Sequence, residues 1–125
     1  MYNAKIMDHF QNPRNTGDLP GANGVGSHGS PNTGDVTRIY LKIVDGRIAD
    51  VRMQTFGSAV AIASSSMATE LVKGMTVDEA EAITRQDVSD ALDGIPADKM
   101  QCSNLAPDAI KAAIADYRKR QIKAT

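Results

Sequence analysis

The segment from Met53 to Met67 constrains the fold more than any other part of the sequence. It has the pattern of a strand that passes through a tight turn into a helix rich in alanine and serine. Because small side chains permit close approach on nearly every face, this helix is predicted to pack tightly, most simply against a sheet. Ser58 stands at the mouth of the helix, where unpaired backbone N–H groups and the helix dipole would stabilise an anion or a thiolate.

A hairpin is predicted to lead into this helix. Apolar and polar residues alternate from Val36 to Val44, and Arg47 to Phe56 reads as the returning strand. The intervening Asp45-Gly46 is a strong hairpin signal. Ile48 is out of phase with the other apolar residues of its strand, which predicts a bulge near the turn.

Helices are predicted on both sides of the hairpin, and the glycine-rich stretch before it reads as loop with at most a short edge strand around 25–30. The element order predicts an α+β domain, in which a small antiparallel sheet of about three strands has helices packed on one face. An extended connector is expected over 95–99. The predicted helices are residues 2–10, 58 to about 73, 76 to about 84, 87–92, and a last helix that begins after Ser103 or Asn104.

The charge balance argues against nucleic acid and membrane partners. The chain has 14 basic and 15 acidic residues, for a net charge of −1. No apolar run approaches the ~20 residues needed to span a bilayer. The length of 125 residues suits a single domain over 1–125. The one cysteine excludes an internal disulfide and favours a reducing compartment, so we expect a cytoplasmic protein.

Asp35 and Cys102 are the residues with the clearest chemical potential. Cys102 precedes a helix, so its thiolate should be favoured, although a small buried apolar residue fits this spacing equally well. Asp35 follows the flexible Thr33-Gly34 pair at the start of a strand, where an aspartate commonly hydrogen-bonds the backbone of its own turn. The residues alone leave both alternatives open.

Seven segments carry a resemblance to a known family, namely Asp8 to Asn15, Gly34-Asp35, Thr55 to Gly57, Ala61 to Ser66, Cys102-Ser103, Leu105-Ala106 and Asp108 to Tyr117. Together they resemble the IscU/NifU family of iron–sulfur cluster assembly scaffolds. The resemblance extends over almost the whole chain and implies the small antiparallel sheet with packed helices described above. It also implies a [2Fe–2S] cluster, held by three cysteines and an aspartate, often with a histidine, and built with sulfur from a cysteine desulfurase.

Carried over by position, the resemblance makes Thr33, Asp35, Ser58, Gln101 and Cys102 the candidate cluster-binding residues. Thr33 and Ser58 stand where the family has its first and second cysteines. Cys102 matches the third cysteine and Asp35 the aspartate, whereas Gln101 stands where many members have histidine. Alcohols and an amide are poor ligands for a soft iron–sulfur site. Asp35 and Cys102 therefore remain as the candidate ligands of a metal, with iron or zinc as the candidate ions.

Three explanations fit the two absent cysteines. The chain is an engineered form in which both cysteines were replaced, or a natural paralogue that kept only partner binding, or one half of a site completed by another subunit. We favour replacement, because the residues around the site still suit cluster chemistry.

The resemblance implies a scaffold rather than an enzyme, with a cysteine desulfurase and apo iron–sulfur acceptor proteins as partners and a homodimer as one assembly. A chaperone of the Hsp70 class is doubtful, because only Pro96 and Lys99 remain of the segment that it reads. The rival interpretation is a module that binds the desulfurase without building clusters. A serine hydrolase is disfavoured, since His9 and His28 are the only histidines and there is no nucleophile elbow.

Overall fold

A three-stranded antiparallel sheet, covered on one face by helices, forms the centre of the structure. The computed structural model describes residues 2–31 and 33–124, apart from the side chains of residues 101–104 and 124. The predicted α+β class is confirmed. The elements are α1 (Ala4–Gln11), β1 (Gly24–Gly29), β2 (Val36–Val44), β3 (Arg47–Phe56), α2 (Ala59–Val72), α3 (Val77–Glu81), α4 (Arg85–Ala91), a 3₁₀ helix (Ala97–Asn104) and α5 (Leu105–Ala124).

The hairpin has the bounds that the sequence predicts. β2 and β3 pair antiparallel and are joined at Asp45-Gly46, where both residues adopt positive φ. Register shifts between Lys42 and Ile43, so that Lys42 faces Asp50 while Ile43 faces Ile48. This irregularity is the predicted bulge, and it returns Ile48 to the buried face of the sheet.

Two glycines in β1 allow the last helix to lie directly on the edge of the sheet. Gly24 and Gly26 are two residues apart and therefore point to the same face. A Cβ atom at Gly26 would overlap the α5 backbone at Ala113, and one at Gly24 would lie 2.6 Å from the carbonyl oxygen of Ala113. The Val25 N–H donates to the Asp116 carboxylate at 2.9 Å, which further fastens β1 to α5.

Helix α2 is the most deeply buried helix of the fold. Its small side chains allow it to pack against β3, α1, α4, α5 and the 3₁₀ helix. Ser64, Ser65 and Ser66 are all buried, and their hydroxyls are used in hydrogen bonds. Ser65 Oγ, for example, lies 2.9 Å from the hydroxyl of Thr37 on β2. The prediction of a tightly packed helix is confirmed.

Buried polar contacts attach α1 to α2. His9 is 7% exposed, and its Nδ1 lies 2.8 Å from Ser66 Oγ. The same oxygen accepts the backbone N–H of Arg14 at 2.8 Å. Burial lowers the pKa of His9 from its ordinary value, and the nearby Arg14 charge acts in the same direction.

Two predictions about the helical half of the chain are wrong in detail. α3 ends at Glu81 rather than near Thr84, because Thr84 is the N-cap of α4 and forms a capping box with Asp87. The expected extended connector over 95–99 is extended only up to Pro96, because the 3₁₀ helix begins at Ala97. That helix runs directly into α5. Across the described residues, no helix combines the length and apolar character needed to cross a membrane.

Replacing Gly26 with alanine should destabilise the protein by about 1–3 kcal/mol, because the added methyl group must push α5 away from β1. Urea denaturation measures the change. Ser27→Ala on the exposed part of the same strand is the control and should alter the free energy of unfolding by less than about 0.5 kcal/mol. Equal stability of Gly26→Ala and wild type would contradict the packing described.

Protonation of His9 should destabilise the fold. The unfolded chain binds a proton at the ordinary histidine pKa of 6.5, whereas the folded chain resists it, so the unfolded state takes up more protons below that pH. The free energy of unfolding should therefore fall between about pH 7.5 and about pH 5.5. His9→Gln should make this fall shallower, while His28→Gln at a half-exposed position should leave the His9 contribution in place. If the free energy of unfolding falls equally steeply with decreasing pH in wild type and in His9→Gln, the fall is not due to His9.

Candidate functional site

The N-terminus of α2 is organised by Ser58. Its backbone is extended (φ −69°, ψ 164°), and its Oγ accepts the backbone N–H of Ala61 at 3.3 Å, which makes it the N-cap of the helix. The end of α2 that carries the positive pole of the helix dipole therefore opens next to the end of β3.

Asp35 places a buried carboxylate at this helix end. The residue is 3% exposed, and its Oδ1 accepts the Ser58 N–H at 2.9 Å. The Ser58 hydroxyl lies 3.3 Å from Asp35 Oδ2 and donates to it. Backbone N–H groups at a helix N-terminus are favourable partners for a carboxylate. Two residues separated by 22 others are thus held in direct contact.

Gly57 makes this contact sterically possible. Its φ is +146°, and a Cβ atom there would overlap the Asp35 carboxylate. No separate role for Gly57 is predicted from the sequence. A glycine directly before a helix N-cap is the signal that could have revealed it, but the partner lies far away in sequence, so only the fold identifies it.

Thr33 belongs to the turn that presents Asp35. Its Oγ1 accepts the backbone N–H of Asp35 at 3.3 Å, as expected for a polar residue two positions before. The turn is closed by two backbone hydrogen bonds of 2.8 Å, from Gly34 N–H to Ser30 O and from Ser30 N–H to Asp35 O. Thr33 is exposed, so its hydroxyl borders the site from the solvent side. Thr33, Asp35 and Ser58 are therefore neighbours.

Gln101 and Cys102 lie in the backbone of the 3₁₀ helix, which packs against α2 and α4. Their side chains are outside the described residues, so the convergence of Cys102 on Ser58 stays a prediction. Within the part of the chain whose side chains are described, no three His, Cys, Asp or Glu residues are grouped so as to hold a metal ion. The described side chains of the candidate site are therefore the Asp35 carboxylate and the hydroxyls of Thr33 and Ser58.

The two histidines are engaged elsewhere. His9 contacts Ser66 inside the α1–α2 interface, and His28 Nε2 lies 3.5 Å from Asp108 Oδ2 at the start of α5. No described hydrogen bond joins either ring to Ser58, whose hydroxyl is directed at the Asp35 carboxylate. The geometry accordingly gives no support to a serine nucleophile activated by histidine.

Exposed apolar side chains flank the site. Phe56 is 73% exposed and Val36 is 42% exposed, and the two face each other across β2 and β3. Phe56 also lines a surface groove of about 310 Å³, together with the apolar Phe10 and Ile62 and with polar residues that include Gln54. An apolar surface of this kind next to a polar site is typical of a protein-binding face.

Comparison with known proteins places these features in a family. The family model described as the NifU-like N terminal domain matches residues 1–124. The chain is 55% identical over 123 residues to iron–sulfur cluster assembly scaffold protein IscU 1 of Archaeoglobus fulgidus, covering 98% of this chain and 80% of the relative. Identity to the Escherichia coli protein IscU, which bears the same scaffold description, is 48% over 127 residues, with 98% of both chains covered.

Solved structures show the same fold. The NifU-like N-terminal protein of Brucella abortus superposes with a TM-score of 0.81 over 94% of both chains, at 21% sequence identity. At that identity the likeness concerns the fold, and it agrees with the three-stranded sheet and its helices.

Gly57→Ala should separate Asp35 from the N-terminus of α2, because the methyl group would occupy the position of the carboxylate. The expected result is a change in the Ser58 amide chemical shift and a loss of its protection from hydrogen exchange. Gly46→Ala is the matched control, since it also has positive φ (+75°) but has no atom within 4 Å of the added Cβ. A Ser58 amide that is unchanged in Gly57→Ala would contradict the proposed geometry.

Proposed function

The chain belongs to the NifU-like N-terminal domain family, and we propose that it acts as a scaffold on which iron–sulfur clusters are assembled and from which they pass to acceptor proteins. The observation that carries this proposal is the contact of Asp35 with the N-cap Ser58, beside Thr33. These are three of the positions at which the family resemblance places cluster ligands. Three candidate positions from distant segments therefore lie together at the α2 N-terminus, which supports the proposal.

The chemistry of the donors determines how strongly a cluster would be held. Iron in a [2Fe–2S] cluster is bound by thiolates, which are soft and lose their protons near neutral pH. The hydroxyls of Thr33 and Ser58 are much weaker acids. The helix dipole contributes only about 0.3–1 kcal/mol at an exposed site, which is too little to ionise an alcohol. The chain as written is therefore proposed to hold a [2Fe–2S] cluster poorly within one subunit.

Sulfur would enter through Cys102, the one thiol of the chain. We propose that its thiolate attacks the outer sulfur of a persulfide on a cysteine desulfurase, the donor that the resemblance implies. The persulfide then moves to Cys102, and the desulfurase cysteine leaves as a thiolate. The apolar surface formed by Phe56 and Val36 beside the site suits a protein partner of this kind. Apo acceptor proteins would approach the same end of the domain to receive a finished cluster.

The second candidate function is a desulfurase-binding module that builds no cluster. The substitution of hydroxyls for thiols at Thr33 and Ser58 favours it, because the apolar surface is present while the soft ligands are not. The two functions predict different results when cysteines are introduced at positions 33 and 58. A scaffold impaired only in its ligands regains the cluster, whereas a module that has lost the site geometry does not.

The double substitution Thr33→Cys with Ser58→Cys should restore a stable [2Fe–2S] cluster. Anaerobic reconstitution with iron and sulfide, followed by visible absorption and by counting iron and sulfide per chain, measures the result. The number of clusters per chain should rise from well below one to about one, because thiolates replace alcohols at positions that already lie beside Asp35.

Adding Cys102→Ser to the double variant is the matched control and should remove the gain. Chromatographic size should be followed in parallel, so that a cluster shared between two chains is recognised. A stoichiometric cluster on the unmodified monomer would overturn the account of the ligands. A double variant that gains no cluster would favour the desulfurase-binding module.

A further inference from the structure

A second surface groove lies far from the candidate site, at the C-terminal end of α2. Its volume is about 500 Å³, and its apolar lining is formed by Leu71, Met75 and Ile83. Leu71 is in the last turn of α2, whereas Ser58 caps its first turn. At 1.5 Å per residue the two are about 20 Å apart along the helix axis. The groove is therefore not an extension of the candidate site.

The rim of this groove is acidic. Glu79, Asp87 and Asp90 line it, and all three are exposed. Each accepts a hydrogen bond from a neutral donor, namely the backbone N–H of Thr76, the backbone N–H of Thr84 and the Gln86 side chain, respectively. No ion pair among the described residues involves these carboxylates, although the pKa of Glu79 is lowered by its hydrogen bonds with Thr76 and, to a smaller extent, by the charge of Arg47. An occupant that carries an apolar anchor between cations would match the groove in both respects.

The end of α5 has this pattern. Residues 118–123 are all exposed, and Ile122 is 75% exposed. Lys119 is three residues before Ile122 and four before Lys123, so its side chain neighbours both of theirs on the helix surface. Arg118 and Arg120 are held in ion pairs within the chain, whereas no ion pair of the described residues involves Lys119 or Lys123.

The relative placement of the two surfaces allows a symmetric arrangement. Arg118 on α5 forms ion pairs with Asp78 and Glu81 of α3, and α3 also contributes Glu79 to the groove. The α5 end and the groove are consequently on adjacent parts of one surface. Two copies related by a two-fold axis can then place each α5 end in the groove of the other.

We propose that the chain forms a homodimer in which Ile122 of one copy occupies the groove of Leu71, Met75 and Ile83 on the other. Lys119 and Lys123 would face the carboxylates of Glu79, Asp87 and Asp90. The contact is small, so the dimer is weak and its formation depends on concentration and salt. Because it lies at the end of α2 opposite Ser58, it forms without metal and does not pool ligands between subunits.

Sedimentation velocity of the full chain, from micromolar to millimolar concentration with chelator and reductant present, tests the proposal. A monomer–dimer equilibrium that weakens as salt is raised is expected. Ile122→Glu should weaken dimerisation at least about tenfold, because it places a carboxylate among carboxylates and removes the apolar anchor. Lys111→Gln on an earlier exposed turn of α5 makes the same change of −1 in net charge and should leave the equilibrium unaltered.

Exchanging charges between the acidic rim of the groove and the lysines of α5 tests whether these two surfaces are in contact. Asp90→Lys alone and Lys119→Glu with Lys123→Glu should each weaken the dimer, and the chain that carries all three substitutions should regain much of the loss. Circular dichroism of each variant confirms that it is folded. A chain that stays monomeric at all concentrations overturns the proposal, and so does a dimer that is insensitive to Ile122→Glu or that gains nothing from the exchange.

Discussion

The close packing of α2 is the constraint on which the rest of the structure depends. Its small side chains let β3, α1, α4, α5 and the 3₁₀ helix approach it together, and its buried serines replace apolar bulk with hydrogen bonds to its neighbours. No buried side-chain nitrogen or oxygen of the described residues lacks a hydrogen-bond partner. Packing on so many sides fixes the position of the α2 N-terminus. Gly57 and Ser58 lie at this end of the helix, and the Asp35 carboxylate contacts it.

The parts of the fold that could be predicted from sequence are those with strong local signals. The hairpin was predicted with its observed bounds because alternation and Asp45-Gly46 act within a few residues. The 3₁₀ helix was missed because its short, weakly patterned sequence is shaped by packing against α2 and α4. The capping box of Thr84 with Asp87 was a local signal that the prediction of a longer α3 overlooked.

The site could be predicted only in part for a related reason. Motif resemblance selected Thr33, Asp35 and Ser58 as a group, and the structure brings these three together through hydrogen bonds. It did not reveal how Asp35 is accommodated. The Asp35 carboxylate fits because Gly57, which belongs to another segment of the chain, has no side chain. The chemistry of the candidate site then follows from residue type, since oxygen donors bind soft metals more weakly than thiolates do.

Convergence of positions 33, 58 and 102 on one point in space is the proposal on which the scaffold function depends. X-ray absorption at the zinc edge, on Thr33→Cys/Ser58→Cys loaded with zinc alone, tests it most directly. Sulfur ligands lie at about 2.3 Å and oxygen ligands at about 2.0 Å, so the two shells are resolved. The account predicts three sulfur ligands on a monomer, against no more than one in the unmodified chain with its single cysteine. A double variant with the same shells as the unmodified chain would show that the three positions do not converge.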